Sequence, residues 1–135
     1  MYDTIIIGAG PAGMSAAIYL VRKRMKVIVL TNDFGGQTAK AAQVENYLGF
    51  EKISGAELVD KFQKHMASTG VEVKNIAVDS VQKKDQNFLV KAGEETLETK
   101  TVIIASGKTP RKLNVPREKE LAGKGVSYCA TCDGP

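Results

Sequence analysis

Two cysteines near the end of the chain have the most distinctive chemistry in the sequence. Cys129 and Cys132 are separated by two residues, a spacing at which a disulfide forms easily. A zinc site would need two further ligands, and the only histidine, His65, lies on a separate predicted helix. In a chain with a cytosolic character, the pair is therefore interpreted as a redox disulfide rather than a structural staple. No metal site is predicted.

A glycine-rich turn close to the N-terminus predicts a second chemistry, the binding of a diphosphate. The turn spans 8–13 with the sequence GAGPAG, follows an apolar run at 5–7 and opens a helical stretch at 14–24. The first glycine permits a tight turn, the second lets a phosphate approach bare backbone, and the third lets helix and strand pack closely. Unpaired amides at the helix start then face the anion. The pattern predicts a dinucleotide-binding site.

The segments around this turn have the pattern of one βαβ unit. Residues 2–8 and 26–30 are short, apolar and β-branched, as expected of strands buried in a parallel sheet. Units of this kind usually place an acidic residue after the second strand to bind the adenosine ribose. Asp33 is at about the right distance, yet it stands past the predicted strand. A ribose contact by Asp33, by Thr31 or Asn32, and a simple turn remain open alternatives.

A second pair of glycines follows the second predicted strand. Gly35 and Gly36 precede Gln37 in a loop that should lie beside the first turn. Adjacent glycines there predict another place where backbone comes close to a ligand, with a flexible turn as the alternative. The segment 44–50 is too polar for a core strand and too aromatic for a linker, and its local chemistry assigns it no role.

The remaining elements complete an α/β pattern. A helix is predicted to begin after Ser54, which forms a capping box with Glu57, and to end before Gly70. Four short extended runs follow at 71–73, 77–81, 87–90 and 96–98, the later ones arranged as hairpins. A buried strand at 101–105 then rejoins the parallel sheet.

Length and composition limit the domain organisation and the function. The chain has 135 residues and a net charge of +4, enough for one core and too little for two. We expect a first domain segment at 1–109, a connector at 110–116 and the start of another domain at 117–135.

No apolar stretch is long enough to span a membrane, so a cytoplasmic protein is expected. The basic clusters have no interleaved aromatic residues, which gives nucleic-acid binding little support.

Five motifs occur in order along the chain: GAGPAG at 8–13, GGQ at 35–37, VENYLGF at 44–50, IIASGKTPRKL at 103–113 and CATCDG at 129–134. Together they closely resemble the N-terminal part of a bacterial-type, low-molecular-weight thioredoxin reductase. In that family an FAD-binding domain is interrupted by a pyridine-nucleotide domain that carries the redox cysteines. The resemblance implies a three-layer, Rossmann-like FAD domain with a parallel sheet, helices and a small antiparallel β-meander, discontinuous and incomplete in this chain.

The resemblance also implies roles for individual residues. The glycine turn would bind the FAD pyrophosphate, Asn46 would lie near the flavin ring, and 105–107 would flank it. The expected cofactor-binding residues are Gly8, Gly10, Ala12, Gly13, Thr31, Gly35, Gly36, Gln37, Asn46, Ala105, Ser106 and Gly107. Cys129 and Cys132 match the redox disulfide, and Asp133 matches the proton donor and acceptor beside it. The family usually has threonine at the position of Ser106, and the hydroxyl is kept here.

The implied protein is a flavoprotein disulfide oxidoreductase. Electrons from NADPH would pass through FAD and the Cys129–Cys132 disulfide to thioredoxin or a thioredoxin-like protein, and the full-length protein would be a homodimer. The second nucleotide-binding turn, its arginines for the 2′-phosphate and the late segment that completes the FAD site are absent from these residues. We therefore expect the NADPH site to lie outside this chain, and the chain alone to be inactive.

Three alternatives remain at this stage. A ferredoxin-dependent flavin thioredoxin reductase keeps FAD and the cysteine pair without the pyridine-nucleotide site. A peroxiredoxin-reducing flavoprotein carries additional thioredoxin-like domains, which a chain that starts directly on the FAD-binding strand does not favour. In a different class of function, the chain is an isolated, non-catalytic FAD-binding module.

Overall fold

The structure is a computed structural model and describes residues 1–129. Its strands are β1 (Tyr2–Ala9), β2 (Val27–Phe34), β3 (Glu72–Asn75), β4 (Ser80–Lys84), β5 (Asn87–Ala92) and β6 (Glu95–Ile104). Its helices are α1 (Pro11–Arg22), α2 (Gly36–Ala39), α3 (Gly55–Ser68) and α4 (Glu118–Leu121). None of the helices in this part of the chain is long and apolar enough to cross a membrane. Cys132 and Asp133 lie outside the described residues.

One six-stranded sheet, in the order β3-β2-β1-β6-β5-β4, organises the fold. The strands β3, β2, β1 and β6 run parallel, whereas β5 pairs antiparallel with β6 and β4 antiparallel with β5. The strand β1 lies at the centre, and its Ile5 and Ile6 are fully buried on opposite faces. The predicted α/β fold with a parallel sheet and an antiparallel meander is confirmed.

Each face of the parallel part of the sheet is covered by a different layer. Helices α1 and α3 cover one face, where Met14 and Met66 join the cluster around Ile6. On the other face, Val90 of β5 packs in one cluster with Leu30 of β2. Ala92 of β5 belongs to the same cluster, so the antiparallel strands add to the core on this face of the sheet.

The strand β6 is longer than predicted. The sequence favoured separate strands at 96–98 and 101–105, but the structure has one strand of ten residues. Its first half pairs antiparallel with β5, and its second half pairs parallel with β1. A single strand thus links the meander to the parallel sheet. The predicted run at 71–73 corresponds to β3, which forms the parallel edge of the sheet next to β2.

The start of α3 matches its predicted capping box. The hydroxyl of Ser54 accepts a hydrogen bond from the amide of Glu57 at 3.2 Å, and the Glu57 carboxylate accepts one from the amide of Ser54 at 3.2 Å. Both groups satisfy amides that the first turn leaves without intrahelical partners. Gly70 follows the helix with a φ of +73°, the left-handed conformation expected there.

We expect Ser54→Ala to lower the free energy of unfolding by about 1 kcal/mol near neutral pH, the usual cost of removing an N-cap. Hydrogen bonds from the Ser54 hydroxyl and amide lower the pKa of Glu57. The part of the capping contribution that depends on the Glu57 carboxylate is therefore complete above the unfolded pKa, about 4.3, and is lost as the pH falls through the folded pKa, whereas the bond from the Glu57 amide to the Ser54 hydroxyl does not titrate. Urea unfolding across this range measures the effect. Ser68→Ala, at the opposite end of the same helix, is the control, and an equal effect of both changes would contradict the assignment.

Candidate cofactor-binding site

The turn between β1 and α1 requires glycine at its first position. Gly8 has a φ of +102°, a conformation that side chains rarely adopt. A Cβ atom at this position would overlap the backbone carbonyl of Ala105, which follows β6. The amide of Ala105 also donates to the carbonyl of Ile7 at 2.8 Å. The turn is thus tied to the end of the neighbouring parallel strand.

The second glycine of the turn leaves open space. Gly10 is the N-cap of α1, with extended backbone, and a Cβ built on it meets nothing within 4 Å. Pro11 is the first helical residue, where its missing N–H costs no hydrogen bond. The amides of Ala12 and Gly13 belong to the first turn, which has no intrahelical acceptors for them. Backbone N–H groups and the positive end of the helix dipole therefore meet at an open position suited to an anion.

The third glycine has a packing role. A Cβ on Gly13 would overlap the carbonyl oxygen of Gly8, so only glycine lets α1 pack this closely against the turn. Gly13 is buried and is not among the residues that line the adjacent cavity. The structure therefore supports the expected role of Gly13 in the close packing of helix and strand.

A cavity of about 560 Å³ opens next to the turn, at the carboxyl ends of the four parallel strands. Ligands of open α/β sheets bind at such an edge, in pockets of roughly this size. Ten of the twelve expected cofactor-binding residues line it: Gly8, Gly10, Ala12, Thr31, Gly35, Gly36, Gln37, Ala105, Ser106 and Gly107. The sheet therefore brings motifs from three distant parts of the chain to one site.

Thr31 lines the cavity, but its hydroxyl is fully used within the chain. Its Oγ1 accepts hydrogen bonds from the amides of Ala9 at 3.3 Å and Asp33 at 3.2 Å, and it donates to the carbonyl of Asp33. A hydroxyl has one donor and two acceptor positions, so none is left for a ribose. Thr31 is 5% exposed and holds the end of β2 against the end of β1.

Asp33 is placed differently from the prediction. It lies within β2, which extends to Phe34, rather than beyond the strand. The extension comes from pairing, because Phe34 is still in register with Ala9 of β1 after an irregularity between Ile7 and Ala9. Asp33 and Asn32 are both exposed and both line the cavity. Of the three residues considered for the ribose, these two keep side chains that can reach a ligand.

The second glycine pair forms a bend that ends at the short helix α2. Gly35 has a φ of +80°, and a Cβ on it would come within 2.5 Å of a methyl group of Val59 in α3. The amide of Gly35 donates to the carbonyl of Ala9 at 2.8 Å. From α2, the Gln37 amide group donates to the carbonyl of Lys108 at 3.2 Å. These contacts close the cavity rim between the loops after β2 and β6.

Asn46 does not reach this cavity in the structure. It lies in a separate shallow depression formed by 45–51, where the ring of Tyr47 packs against those of Phe50 and Phe62. A β-bridge between Val44 and Ile53 closes the segment at its base. The family resemblance implies a position for Asn46 beside the flavin ring. In the described part of the chain, Asn46 lies outside the main cavity.

The cysteine segment is only partly within the described residues. Cys129 is disulfide-bonded and is not among the residues that line the cavity. Its amide donates to the hydroxyl of Ser127 at 3.1 Å. The predicted roles of Cys132 and Asp133 fall outside the described residues. Within residues 1–129, no group of three or more His, Cys, Asp or Glu side chains could hold a metal ion.

Several cavity residues were not identified from the sequence. The predicted extended run at 77–81 includes residues 77 and 78, but the structure places 76–78 after β3, where they line the cavity together with Lys40, Lys108 and Thr109. The amide of Ile76 donates to the carbonyl of Thr31 at 2.7 Å, which brings this segment to the end of β2. Parallel pairing of β3 with β2 would have been the signal, because residues after parallel strands meet at one edge.

Comparison with known proteins agrees with this geometry. The family model described as pyridine nucleotide-disulphide oxidoreductase matches residues 2–135. The chain belongs to this family. It is 45% identical to a thioredoxin reductase of Ureaplasma parvum over 136 aligned residues, which cover 100% of this chain and 44% of that protein. The predicted resemblance to thioredoxin reductases is confirmed, and the chain spans less than half the length of such a relative.

Solved structures of family members share the fold. The thioredoxin reductase from Streptococcus pyogenes superposes with a TM-score of 0.88 and 41% identity, covering 99% of this chain and 44% of that one. A ferredoxin-flavin thioredoxin reductase from Clostridium acetobutylicum superposes with a TM-score of 0.78 and 44% identity, covering 99% of this chain and 47% of that one. Solved structures named thioredoxin reductase and ferredoxin-flavin thioredoxin reductase are thus both similar to this chain.

Proposed function

We propose that this chain forms the first segment of an FAD-binding domain and that the cavity holds the adenosine diphosphate part of the cofactor. The open space at Gly10, beside the first-turn amides of α1, is the observation that carries this proposal. An anion placed there is stabilised by backbone N–H groups and by the helix dipole. Lys40 and Lys108 line the same cavity and add positive charge for a diphosphate.

The remaining cavity residues have roles consistent with the same ligand. Asn32 and Asp33 offer polar side chains to a ribose at the end of β2. The apolar residues Ile76 and Val78 offer a surface for the flat adenine ring. Ser106 supplies a hydroxyl at the end of β6, where the cavity continues beyond the diphosphate position.

At the level of the whole protein, we propose a thioredoxin-disulfide reductase that uses NADPH, with the donor and acceptor sites completed by residues outside this chain. FAD, when bound, supplies hydride acceptance and two-electron transfer. Within this chain, a thiolate of the Cys129–Cys132 pair attacks the disulfide of thioredoxin and forms a mixed disulfide, which the second cysteine then resolves. Asp133 gives a proton to the departing thiolate. We also propose that the whole protein is a cytoplasmic homodimer.

A ferredoxin-dependent reductase is the second candidate. The observation that favours it is the 44% identity to a ferredoxin-flavin thioredoxin reductase, at a level similar to the thioredoxin reductases. Both candidates use the same FAD segment and the same cysteine pair, so residues 1–129 do not distinguish them. Reduction of thioredoxin by the full-length protein with NADPH alone, or only with reduced ferredoxin, separates the two.

For the chain alone, we propose an FAD-binding module without turnover. Purified chain titrated with FAD should quench flavin fluorescence, whereas riboflavin, which lacks the diphosphate and adenosine, should bind at least about tenfold more weakly. When the purified chain is mixed with NADPH, no NADPH should be oxidised. Equal binding of both flavins would contradict the diphosphate site, and NADPH oxidation by the chain would contradict the assignment as an inactive module.

The role of the cysteines is tested in a full-length protein that carries this segment. Cys132→Ser should reduce thioredoxin turnover at least about a hundredfold, because the remaining cysteine can neither form the disulfide that the flavin reduces nor complete the two-step exchange, and should leave FAD bound. The absorption spectrum of the bound flavin is the control for cofactor content. Undiminished turnover by the variant would refute the proposed disulfide exchange.

A further inference from the structure

A buried carboxylate lies between the expected connector and the cysteine segment. Glu118, the first residue of α4, is 6% exposed although most of the residues around it are exposed. Its carboxylate accepts hydrogen bonds from the amides of Leu113 at 2.9 Å and Asn114 at 2.7 Å, and a third from the phenol of Tyr128. A buried acid needs such partners, and here neutral donors from two separate segments supply them.

On the connector side, the carboxylate holds a turn that the backbone alone does not favour. Asn114 has a φ of +57° and Arg117 a φ of +63°, two of the four non-glycine residues with positive φ among residues 1–129. Such conformations persist where surrounding contacts fix them. The hydrogen bonds from the backbone amides of residues 113 and 114 to the Glu118 carboxylate are contacts of this kind. The amide of Glu118 also donates a hydrogen bond to the carbonyl of Val115 at 3.3 Å.

On the other side, the contact reaches the residue next to the cysteine. Tyr128 immediately precedes Cys129, whose amide donates to Ser127. The chain between α4 and this segment is short and itself bonded, with the amide of Val126 donating to the carbonyl of Leu121 at 3.0 Å. The hydrogen bond from Tyr128 also lowers the pKa of Glu118, so the carboxylate is ionised at neutral pH. The contact therefore links the connector to the residue that precedes Cys129.

We propose that Glu118 is a positioning residue that fastens the connector to Tyr128 and thereby sets how readily the disulfide of Cys129 is reduced. The inference builds on the redox role in the proposed function. A disulfide is more stable relative to its two thiols when the folded backbone holds the two sulfur atoms close together. Losing the Tyr128 contact removes one of the restraints on the backbone next to Cys129, so the disulfide becomes easier to reduce.

The test compares three variants of this chain in glutathione redox buffers. In each buffer, two glutathione thiols reduce one protein disulfide and form oxidised glutathione, and thiols are counted by alkylation and mass. Glu118→Gln should shift the equilibrium toward the dithiol by about tenfold. The glutamine has one amide oxygen in place of the two carboxylate oxygens, and its NH₂ group would face the N–H and O–H donors that now bind the carboxylate. Tyr128→Phe, which keeps the connector bonds, should shift it in the same direction by about threefold.

Glu120→Gln is the matched control. Glu120 lies on the same short helix but is exposed, and its carboxylate contacts only the exposed Arg117 among the hydrogen bonds of the described chain. This variant should leave the equilibrium unchanged, and all three should keep the unfolding midpoint of the sheet. An unmoved equilibrium in Tyr128→Phe and Glu118→Gln, or an equal shift in Glu120→Gln, overturns the proposal. The assay contains no flavin, so its result is independent of whether the chain binds FAD.

Discussion

Replacing Gly10 with alanine should weaken FAD binding by at least about tenfold and change the free energy of unfolding by at most about 1 kcal/mol, the cost of alanine at an N-cap. The backbone at Gly10 is compatible with a side chain, and a Cβ there touches no protein atom within 4 Å. The added methyl group therefore enters the space that the diphosphate needs, without disturbing the packing of α1.

Flavin fluorescence titration and urea unfolding of the same preparation measure the two quantities. The separation of binding from stability is the informative result, because few other positions in the turn allow it. Undiminished FAD affinity in Gly10→Ala would mean that the phosphate does not approach this part of the backbone. A loss of several kcal/mol of stability would mean that the position is packed rather than open.

A glycine-to-alanine substitution three residues later, at Gly13, should lower the stability of the fold rather than FAD binding alone. Gly13→Ala should lower the free energy of unfolding by about 3 kcal/mol, at the upper end for overpacking, because its Cβ would overlap the backbone oxygen of Gly8. A backbone atom cannot move aside as a flexible side chain can, so α1 must shift away from β1. FAD binding should be lost as a consequence of this displacement.

Gly10→Ala is the matched control for this prediction, with the same residue change in the same turn. Urea unfolding monitored by circular dichroism gives the two free energies directly. Equal destabilisation of both variants would contradict the distinction between an open position at Gly10 and a packed position at Gly13.

The local features of this fold could be predicted from the sequence because their causes lie within a few residues. The capping box of Ser54 and Glu57 and the order strand, glycine turn, helix at 2–24 are of this kind. The separate roles of Gly8, Gly10 and Gly13 also follow from the turn alone, and the structure gives each glycine a different environment.

The features that were wrong or missed depend on pairing between distant segments. The length of β6 follows from its two different partner strands, and the position of Asp33 follows from the pairing of β2 with β1. The hydrogen bond from the amide of Ala9 to the Thr31 hydroxyl also joins residues 22 apart in sequence, so no local pattern could indicate it. The contact of Glu118 with Tyr128 likewise joins residues that no local motif connects.

The central claim is that the backbone of the first turn holds a diphosphate. Amide proton–nitrogen NMR spectra of this chain, titrated in parallel with ADP and with adenosine, test it most directly. The account predicts that ADP causes its largest shifts at the amides of Gly10, Ala12 and Gly13 and that adenosine leaves these three nearly unchanged. Unperturbed amides at these positions with saturating ADP, or equal shifts with adenosine, would contradict it.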